Sequence, residues 1–450
     1  MTVKTPSLIE RSDLVFPGGS INDFALPPER RIVTDRARGT LLWDSTGKRY
    51  VDFLLGSGPL VLGHGHPAVT RAITDQLSAG MTYYLPSRPA VELAEQICHH
   101  VPCAEAVRYC CDGSEAVFYA MRLARAYTGR SMVAKFEGGF HGHTDYALQS
   151  FAPQDPPRFP LPQPDSRGIP AAVTDTVLVV PYNDADALRA AAAEYGSELA
   201  AIVVEPVQRG IEPIPGFLAE LRSVCDRIGA LLVFDEVVTG FRLDMTGAQG
   251  LAGVTPDLCA LGKAMSGGTP IACVAGRADL MSLYGRPAGP AGVYMSGTLN
   301  GNPLACAAGL ATLRVMAEID GCGQITKRGQ QLQRGLSEAF ADAGLLATTI
   351  GPPAFTDVVF GRADVVDYRD YVDSDRAAAA EFGTRMLDRG FLIRPGNKIY
   401  VSAVHTSEQI DSAIDAAREV LEQMKNDGAL EERSLMGPAG SGPAADGEAR

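Results

Sequence analysis

The sequence contains three groups of residues whose types and positions could do chemistry together. Asp235 directly follows the apolar run ALLVF, Lys263 closes the apolar run LCALG, and Gly113 and Ser114 open a helical pattern. Each group lies at the carboxyl end of a predicted strand, which is where α/β sheets bind their ligands. We therefore expect a carboxylate, an amine and a set of free backbone N–H groups at one edge of a sheet.

Each of these residues also has an ordinary structural interpretation. A buried carboxylate such as Asp235 is costly unless it meets a cation or strong donors, although it could simply cap a helix. Lys263 is either a partly desolvated amine with a lowered pKa, suited to forming an imine, or a lysine whose ammonium reaches the surface. Gly113 and Ser114 either hold a phosphate or belong to an ordinary N-cap. Together, the three groups match the needs of pyridoxal phosphate: a Schiff-base lysine, an acid for the pyridinium nitrogen and a phosphate site.

Short apolar strands that alternate with helices must position these residues. Uniformly apolar runs predict strands that are covered on both faces, and repeated strand–helix–strand order predicts a mainly parallel α/β sheet. The predicted strands are Thr176–Pro181, Ala200–Val204, Ala230–Phe234, Leu258–Leu261 and Ile271–Ala275, and the predicted helices are Asp184–Tyr195 and Gly216–Ile228.

The length of the chain predicts two lobes, because 450 residues exceed what one hydrophobic core usually serves. We assign residues 65–310 to a large α/β domain that binds the cofactor. Residues 311–425 begin and end with amphipathic helices and are expected to form a smaller α+β domain, which residues 1–64, with their hairpin signals, would complete. Residues 426–450 run into a segment that is rich in Gly, Pro and Ala without periodicity, and we predict disorder there.

Composition and charge exclude several classes of protein. Forty Lys and Arg residues against 53 Asp and Glu residues give a net charge of −13, which argues against a nucleic-acid or anionic-membrane surface. The nine cysteines show no CxxC spacing, and no targeting or membrane-spanning segment is evident, so we expect a cytoplasmic protein with reduced thiols. The usual dinucleotide, P-loop, HExxH and GxSxG motifs are missing as well.

Four longer motifs resemble those of class III pyridoxal-phosphate-dependent aminotransferases. They are KFEGGFHGH (135–143), FDEVVTGFR (234–242), PDLCALGKAMSGG (256–268) and SGTLNGNPLACAAG (296–309). Within this family the sequence is most similar to the glutamate-1-semialdehyde 2,1-aminomutase branch, and the similarity extends from Pro17 to Ile414. The resemblance implies an α/β protein of fold type I, with a mainly parallel seven-stranded-type central sheet, helices on both faces and a smaller α+β lobe.

The resemblance also implies roles for the residues at the strand ends. Lys263 would form the Schiff base with the cofactor and then move the proton during the reaction. Asp235 would pair with the protonated pyridine nitrogen, and Gly113 and Ser114 would bind the phosphate. Thr298 would reach the phosphate in the neighbouring subunit, which implies a homodimer with active sites at the subunit interface.

Further cofactor contacts follow from the same resemblance. Phe140 occupies the position of the aromatic residue that stacks on the ring, and Val237 would pack on the opposite face. Glu205 and Gln208 would lie near the 3′-oxygen of the ring. His141 follows the stacking residue and is included among the cofactor-binding candidates.

The sequence departs from the aminomutase branch in three places. The stretch Gly19–Leu26 lacks the arginine that the branch carries near its start, and Arg394–Ser402 lacks the glutamate that the branch carries near its C-terminus. Phe151–Pro170, which corresponds to a Gly/Ser-rich gating loop, is rich in proline instead. An aminomutase must retain its intermediate, so the loss of these features favours an aminotransferase with two separate substrates.

Three residues are candidates for the substrate site. The segment IRPGNKIY resembles the RPxxxxIY pattern of ω-amino-acid aminotransferases, so Arg394 either contacts a substrate carboxylate or is a surface arginine paired with an acid. Tyr83 and Tyr84 are expected to line the substrate entrance, or else to lie in the core or the dimer interface.

His64 and His66 belong to a GHGHP turn that resembles a structural feature of the family, and we predict no metal site.

We therefore predict a pyridoxal-phosphate-dependent aminotransferase. It would move an amino group between an amino acid or amine donor and a 2-oxo acid, ketone or aldehyde acceptor, through pyridoxamine phosphate and by ping-pong chemistry. The alternative among enzymes is a 2,1-aminomutase of the glutamate-1-semialdehyde type, or a racemase or epimerase, that uses the same lysine. The alternative outside enzymes is a scaffold that binds the cofactor without catalysis, and the presence of both Lys263 and Asp235 argues against it.

Overall fold

The apolar runs in the middle of the chain form a seven-stranded sheet in the computed structural model. The structure describes residues 6–435 except 23, 25, 154–155, 287–288 and 290. In chain order its strands are β1 (Thr34–Arg38), β2 (Leu41–Asp44), β3 (Arg49–Asp52), β4 (Ala106–Cys110), β5 (Met132–Phe136), β6 (Val177–Val180), β7 (Leu199–Val204), β8 (Leu231–Asp235), β9 (Leu258–Leu261), β10 (Ala272–Gly276), β11 (Ala347–Ile350), β12 (Phe355–Phe360), β13 (Phe391–Leu392) and β14 (Ile399–Tyr400).

Helices separate most of these strands. They are α1 (Leu8–Val15), α2 (Pro67–Ala79), α3 (Arg88–His100), α4 (Gly113–Thr128), α5 (Ala171–Thr174), α6 (Ala185–Tyr195), α7 (Phe217–Ile228), α8 (Gly247–Ala252), α9 (Ala278–Met281), α10 (Pro303–Glu318), α11 (Gly321–Asp342), α12 (Tyr368–Asp373), α13 (Arg376–Asp388) and α14 (Ser407–Asn426). Short 3-10 helices cover Pro17–Gly19, Pro28–Arg30, Lys263–Ser266, Ser282–Gly285 and Glu432–Ser434.

The central sheet is mainly parallel, with the strand order β4-β10-β9-β8-β7-β5-β6. Strand β10 is antiparallel to both of its neighbours, whereas the other pairs are parallel. Leu232 and Phe234 of β8 belong to the core cluster that includes α7, while Leu231 and Val233 belong to the cluster that includes α4. Helices therefore cover both faces, which confirms the predicted fold class and explains why this strand is apolar throughout.

The predicted strands and helices of this region are confirmed within one residue at every end. Strand β9 has the predicted limits, and helices α6 and α7 begin one residue after their predicted starts. In α6 the first predicted residue, Asp184, is the N-cap, whose side chain accepts a hydrogen bond from the N–H of Ala187. The predicted start of α6 therefore differs from the observed start because an N-cap residue lies half outside its helix.

Both ends of the chain contribute to the smaller sheets. Strand β13 pairs in parallel with β3, with Phe391 opposite Val51, and completes the sheet β1-β2-β3-β13. A second sheet, β11-β12-β14, is antiparallel. The predicted boundary between residues 310 and 311 falls inside α10, so no linker separates the two units at this point. The domain limits stay predictions.

The prediction of disorder from residue 426 is wrong for residues 426–435. Asn426 ends α14, Ser434 is buried, and Leu435 forms a bridge with Leu345. The hydroxyl of Ser434 donates a 2.8 Å hydrogen bond to the carboxylate of Asp375. Composition does not reveal such contacts, because they depend on a buried carboxylate 59 residues away in the chain. Residues 436–450 lie outside the described residues.

Two further features concern the described part of the chain alone. None of its helices combines the length and the apolar character that crossing a lipid bilayer requires. Its His, Cys, Asp and Glu residues also form no group of three that could hold a metal ion.

A pair of truncations tests the contribution of residues 427–435. We expect a chain that ends at residue 426 to be about 2–4 kcal/mol less stable than a chain that ends at residue 435, because Asp375 loses two donors while it stays buried. Thermal unfolding of the two chains measures the difference, and the longer chain is the control. Equal melting temperatures would show that these contacts do not stabilise the fold.

Candidate active site

Strand β8 ends in a carboxylate that lies almost entirely inside the protein. Asp235 is buried, and its Oδ2 atom lies 2.9 Å from Nδ1 of His141, which is also buried. Its Oδ1 atom accepts a 3.2 Å hydrogen bond from the backbone N–H of Val237. Two carboxylate oxygens can accept about four hydrogen bonds, so Asp235 has acceptor capacity for a further N–H donor.

Lys263 follows the neighbouring strand β9 in a strained backbone conformation. Its φ is +41°, in the left-handed region, which is energetically unfavourable for a residue with a Cβ atom. Burial lowers the pKa of its amine, and the nearby Tyr400 and Asp235 oppose this shift. Among the described residues, no hydrogen bond or salt bridge holds the amine. The side chain is therefore a desolvated amine with an enlarged neutral fraction, which suits a nucleophile or a base.

The start of α4 provides free backbone N–H donors beside the carboxylate of Asp235. The side chain of the N-cap residue Asp112 accepts a 2.9 Å hydrogen bond from the N–H of Glu115. Within the described chain, the N–H groups of Gly113 and Ser114 have no acceptor. A Cβ atom on Gly113 would lie 2.8 Å from Cγ1 of Val237, so only glycine lets the helix begin this close to the end of β8.

A buried lysine that the sequence did not reveal as functional holds the loop after β5. The Nζ atom of Lys135 donates hydrogen bonds to the carbonyl oxygens of Gly139 (3.0 Å), Ala147 (2.9 Å) and Gln149 (2.6 Å). Lys135 is fully buried, and its three N–H donors match these three acceptors. The loop residues 139–149 are thereby fixed to the central sheet. The available signal was a lysine within the apolar strand MVAKF.

Glu205 and Gln208 support the same loop from the side of β7. The Oε2 atom of Glu205 accepts a 2.9 Å hydrogen bond from the N–H of Phe140, and Nε2 of Gln208 donates to the carbonyl oxygen of Glu137 at 2.6 Å. The Oε1 atom of Gln208 is buried and has no partner among the described residues. Phe140 remains 45% exposed and packs against Phe151, with the ring centroids 5.0 Å apart. Its exposed ring is therefore available to a ligand.

The other predicted residues lie further out. The hydroxyl of Tyr83 donates to the carbonyl oxygen of Ala79 at 2.6 Å, and Tyr84 lies with its hydroxyl 3.2 Å from Oγ of Ser296. Tyr83, Tyr84 and Thr298 are all exposed, and Thr298 lies in the turn that follows Ser296. Within the described part of this protomer, no hydrogen bond or ion pair joins these three residues to Asp235 or Lys263.

Arg394 lies where two distant segments of the chain meet. Its guanidinium carbon is 5.4 Å from the centroid of the Phe24 ring. The loop of Arg394 is held by α13, because Nη2 of Arg376 donates a 2.6 Å hydrogen bond to the carbonyl oxygen of Gly396. Phe24 and Arg394, which belong to two stretches that depart from the aminomutase pattern, are therefore neighbours in the fold.

Sequence reasoning missed two further residues near the strand ends. Tyr400 is buried, and a Cβ atom on Gly58 would lie 2.8 Å from its ring, so the two segments pack closely. His143 lies with Nδ1 2.9 Å from Oγ of Ser114. The motif FHGH contains His143, but the sequence does not indicate which of its two histidines faces the start of α4.

The residues around β8 and β9 fit pyridoxal phosphate. The free N–H groups of α4 suit a phosphate, Asp235 can accept a hydrogen bond from a ring N–H, and the amine of Lys263 is free to react. The steric contact between Gly113 and Val237 shows that the helix start and the carboxylate lie side by side, as one ligand with a ring and a phosphate requires. The fold and these residues define an α/β protein of fold type I that binds this cofactor.

Comparisons with known proteins give the family. The family model of class III aminotransferases matches residues 26–421. A glutamate-1-semialdehyde 2,1-aminomutase from Methanothermobacter thermautotrophicus is 38% identical over 431 residues, which cover 94% of this chain and 100% of that protein. The chain belongs to the class III aminotransferases, whose cofactor is pyridoxal phosphate.

Solved structures agree with this assignment. An ω-transaminase from Sphaerobacter thermophilus has a TM-score of 0.88 and 33% identity, and the match covers 93% of this chain and 97% of that one. A transaminase with pyridoxal phosphate bound has a TM-score of 0.85 and 28% identity, with coverage of 93% and 97%.

Replacement of Lys135 tests the anchoring of the loop. We expect Lys135→Met to lower the free energy of unfolding by about 2–4 kcal/mol at pH 7, because three carbonyl oxygens lose their donor. Urea unfolding measures the change, and Lys327→Met on the exposed side of α11 is the matched control. An unchanged free energy of unfolding would contradict the anchoring role.

The same variant also tests how the stabilising effect of Lys135 depends on pH. Burial lowers the pKa of Lys135 to about 8, below its usual value of 10.5 in the unfolded chain. Between these values the unfolded chain binds more protons, so the free energy of unfolding of the wild type gains up to about 1.4 kcal/mol per pH unit from this residue. We expect the gap between the wild type and Lys135→Met to widen from pH 8 to pH 10. Parallel pH profiles would contradict this linkage.

Proposed function

We propose that the protein is an aminotransferase that moves an amino group from an amino acid or amine to a 2-oxo acid, ketone or aldehyde by ping-pong chemistry. The observation that carries this proposal is the contact between Arg394 and Phe24, which brings together two segments that lack the aminomutase residues. A guanidinium at this position suits a substrate carboxylate, since it can form two parallel hydrogen bonds. Similarity to the ω-transaminase from Sphaerobacter thermophilus supports the proposal.

In this proposal two residues perform the proton chemistry. When bound, pyridoxal phosphate supplies an aldehyde that condenses with amines and a ring that withdraws electrons from the substrate carbon. The carboxylate of Asp235 would keep a proton on the ring nitrogen, because a buried negative charge favours the protonated form. Lys263 would hold the cofactor through its aldehyde and, once a substrate amine has displaced it, its amine would carry the proton from the substrate carbon to the former aldehyde carbon of the cofactor. Its lowered pKa increases the neutral amine that this step needs.

The remaining candidates would hold the cofactor in position. The N–H groups of Gly113 and Ser114 would bind the phosphate, while Phe140 and Val237 would pack against the two faces of the ring. This assignment agrees with the burial of Val237 and with the exposed ring of Phe140.

Three further cofactor contacts support the ring from its edges. Glu205 and Gln208 would lie toward the 3′-oxygen, and the unpaired Oε1 of Gln208 is consistent with a polar neighbour there. His141 contacts Asp235 and would keep its carboxylate oriented toward the ring nitrogen.

The active form in this proposal is a homodimer. Thr298 would contact the cofactor phosphate of the neighbouring subunit, and it is exposed in this protomer, as a residue that reaches across an interface must be. Tyr83 and Tyr84, which are also exposed, would line the substrate entrance beside that interface.

A 2,1-aminomutase is the second candidate, because the relative from Methanothermobacter thermautotrophicus carries that name and matches over its entire length. An aminomutase returns the same amino group to its substrate, and a racemase or epimerase only inverts a carbon, so neither reaction consumes an acceptor. A scaffold without catalysis would leave every candidate substrate unchanged.

Dependence on an acceptor separates these candidates. A panel of amino donors is first tested without an acceptor. We expect a donor that reacts to change the absorbance of the bound cofactor once and to give one equivalent of oxo product, and then to stop until a 2-oxo acid is added. The added acceptor should then restore the absorbance and permit repeated turnover. Multiple turnovers of glutamate 1-semialdehyde without an acceptor would favour the aminomutase, and inversion of the donor carbon without an acceptor would favour the racemase.

Replacement of Lys263 tests the proposed catalytic centre. We expect Lys263→Ala to lower turnover at least a thousandfold, because the linking amine and the proton carrier are both lost. Borohydride reduction followed by peptide mass analysis should find the cofactor on Lys263 in the wild type. Lys327→Ala is the control and should retain activity. Substantial turnover of Lys263→Ala would rule out this assignment.

Replacement of Arg394 tests the substrate site. We expect Arg394→Gln to raise KM for a carboxylate-bearing donor by about tenfold to a hundredfold, the effect of losing a charge-assisted contact. KM for a simple primary amine should change little. Equal changes in KM for the two donors would indicate that Arg394 does not recognise the carboxylate.

A further inference from the structure

The loop after β5 approaches the start of α4 closely where Gly142 meets Ser114. Gly142 has a φ of +93°, and a Cβ atom on it would lie 2.5 Å from Cα, Cβ and Oγ of Ser114. The next residue, His143, has its Nδ1 atom 2.9 Å from Oγ of Ser114. Because only glycine permits this approach, the backbone itself holds the imidazole against the serine hydroxyl.

The direction of this hydrogen bond decides what Ser114 can offer to a phosphate. A serine hydroxyl has one proton, and a phosphate dianion only accepts hydrogen bonds. If Nδ1 of His143 accepted the serine proton, Ser114 would present only its lone pairs to the phosphate, and these repel it. If Nδ1 carries a proton, it donates to Oγ, and Ser114 donates its own proton to the phosphate.

We propose that His143 is a positioning residue for the cofactor phosphate, whose Nδ1–H donates to Ser114 and thereby directs the serine hydroxyl proton toward the phosphate. The inference rests on the proposed role of Gly113 and Ser114 in phosphate binding. Both the imidazolium and the neutral imidazole with its proton on Nδ1 fulfil this role. A bound phosphate favours these two forms over the form with its proton on Nε2, since only they leave the serine proton for the phosphate.

The location of His143 separates this role from a structural one. His143 is exposed, so its replacement removes no buried packing. His141, two residues earlier, is buried and contacts Asp235 at the ring end of the site. The two histidines of FHGH therefore serve opposite ends of the cofactor, and a defect at His143 should concern only ligands that carry a phosphate.

The test compares two ligands that differ only in the phosphate. The full-length protein, freed of cofactor, is titrated with pyridoxal phosphate and with pyridoxal, and the absorbance of the bound ligand gives each Kd. We expect His143→Ala to raise the Kd for pyridoxal phosphate about tenfold, the effect of one weakened hydrogen bond to a charged group. The Kd for pyridoxal should stay within about twofold of the wild type.

Three further variants sharpen the comparison. His143→Asn retains a side-chain N–H close to the Nδ1 position and should restore binding to within about threefold of the wild type. In a Ser114→Ala background, His143→Ala should have little further effect, because the histidine acts through the serine. His99→Ala, an exposed histidine at the end of α3, is the control and should change neither Kd.

Two results would overturn the inference. An unchanged Kd for pyridoxal phosphate in His143→Ala would show that the histidine does not direct Ser114, and an equal rise in both Kd values would show a general structural role. Both outcomes leave the proposed function intact, provided that the wild type binds pyridoxal phosphate on Lys263. A wild type that binds pyridoxal phosphate no better than pyridoxal would instead contradict the phosphate site itself.

Discussion

Lys135 lies entirely inside the protein, where its ammonium donates hydrogen bonds to three backbone carbonyl oxygens of one loop. An ammonium without partners would be too costly to bury, so the loop must follow a path that brings its three carbonyls together. This path sets Phe140 against Glu205, His141 against Asp235 and His143 against Ser114. The geometry of the cofactor site therefore depends on the solvation of one charge by the backbone.

The strands and the positions of the charged residues at their ends could be predicted because both are local in the sequence. An uninterrupted apolar run identifies a strand covered on two faces, and a charged residue directly after it identifies the ligand edge, as with Asp235 and Lys263. Lys135 could not be assigned in this way, since its acceptors lie in a loop whose path the sequence does not specify. The ordered structure of residues 427–435 was also not predicted, because it depends on a contact with Asp375 that only the folded chain creates.

The substrate side of the site shows a similar division between local and distant information. The motifs identify the cofactor through residues near one another in the sequence, whereas Phe24 and Arg394 come from opposite ends of the chain. The two ends meet because α13 holds the Arg394 loop through Arg376 and Gly396. In the proposed function, chemistry at the cofactor would be retained while these two segments changed the choice of substrate.

The parallel pairing of β3 with β13 has a consequence for the synthesis of the protein. Residues 49–52 leave the ribosome more than 300 residues before residues 391–392, with which they pair. At about 5–20 residues per second, the first hairpin waits roughly 15–70 s for its fourth strand. During this interval the edge of β3 is open to pairing with other chains, so the nascent N-terminal segment needs protection from aggregation.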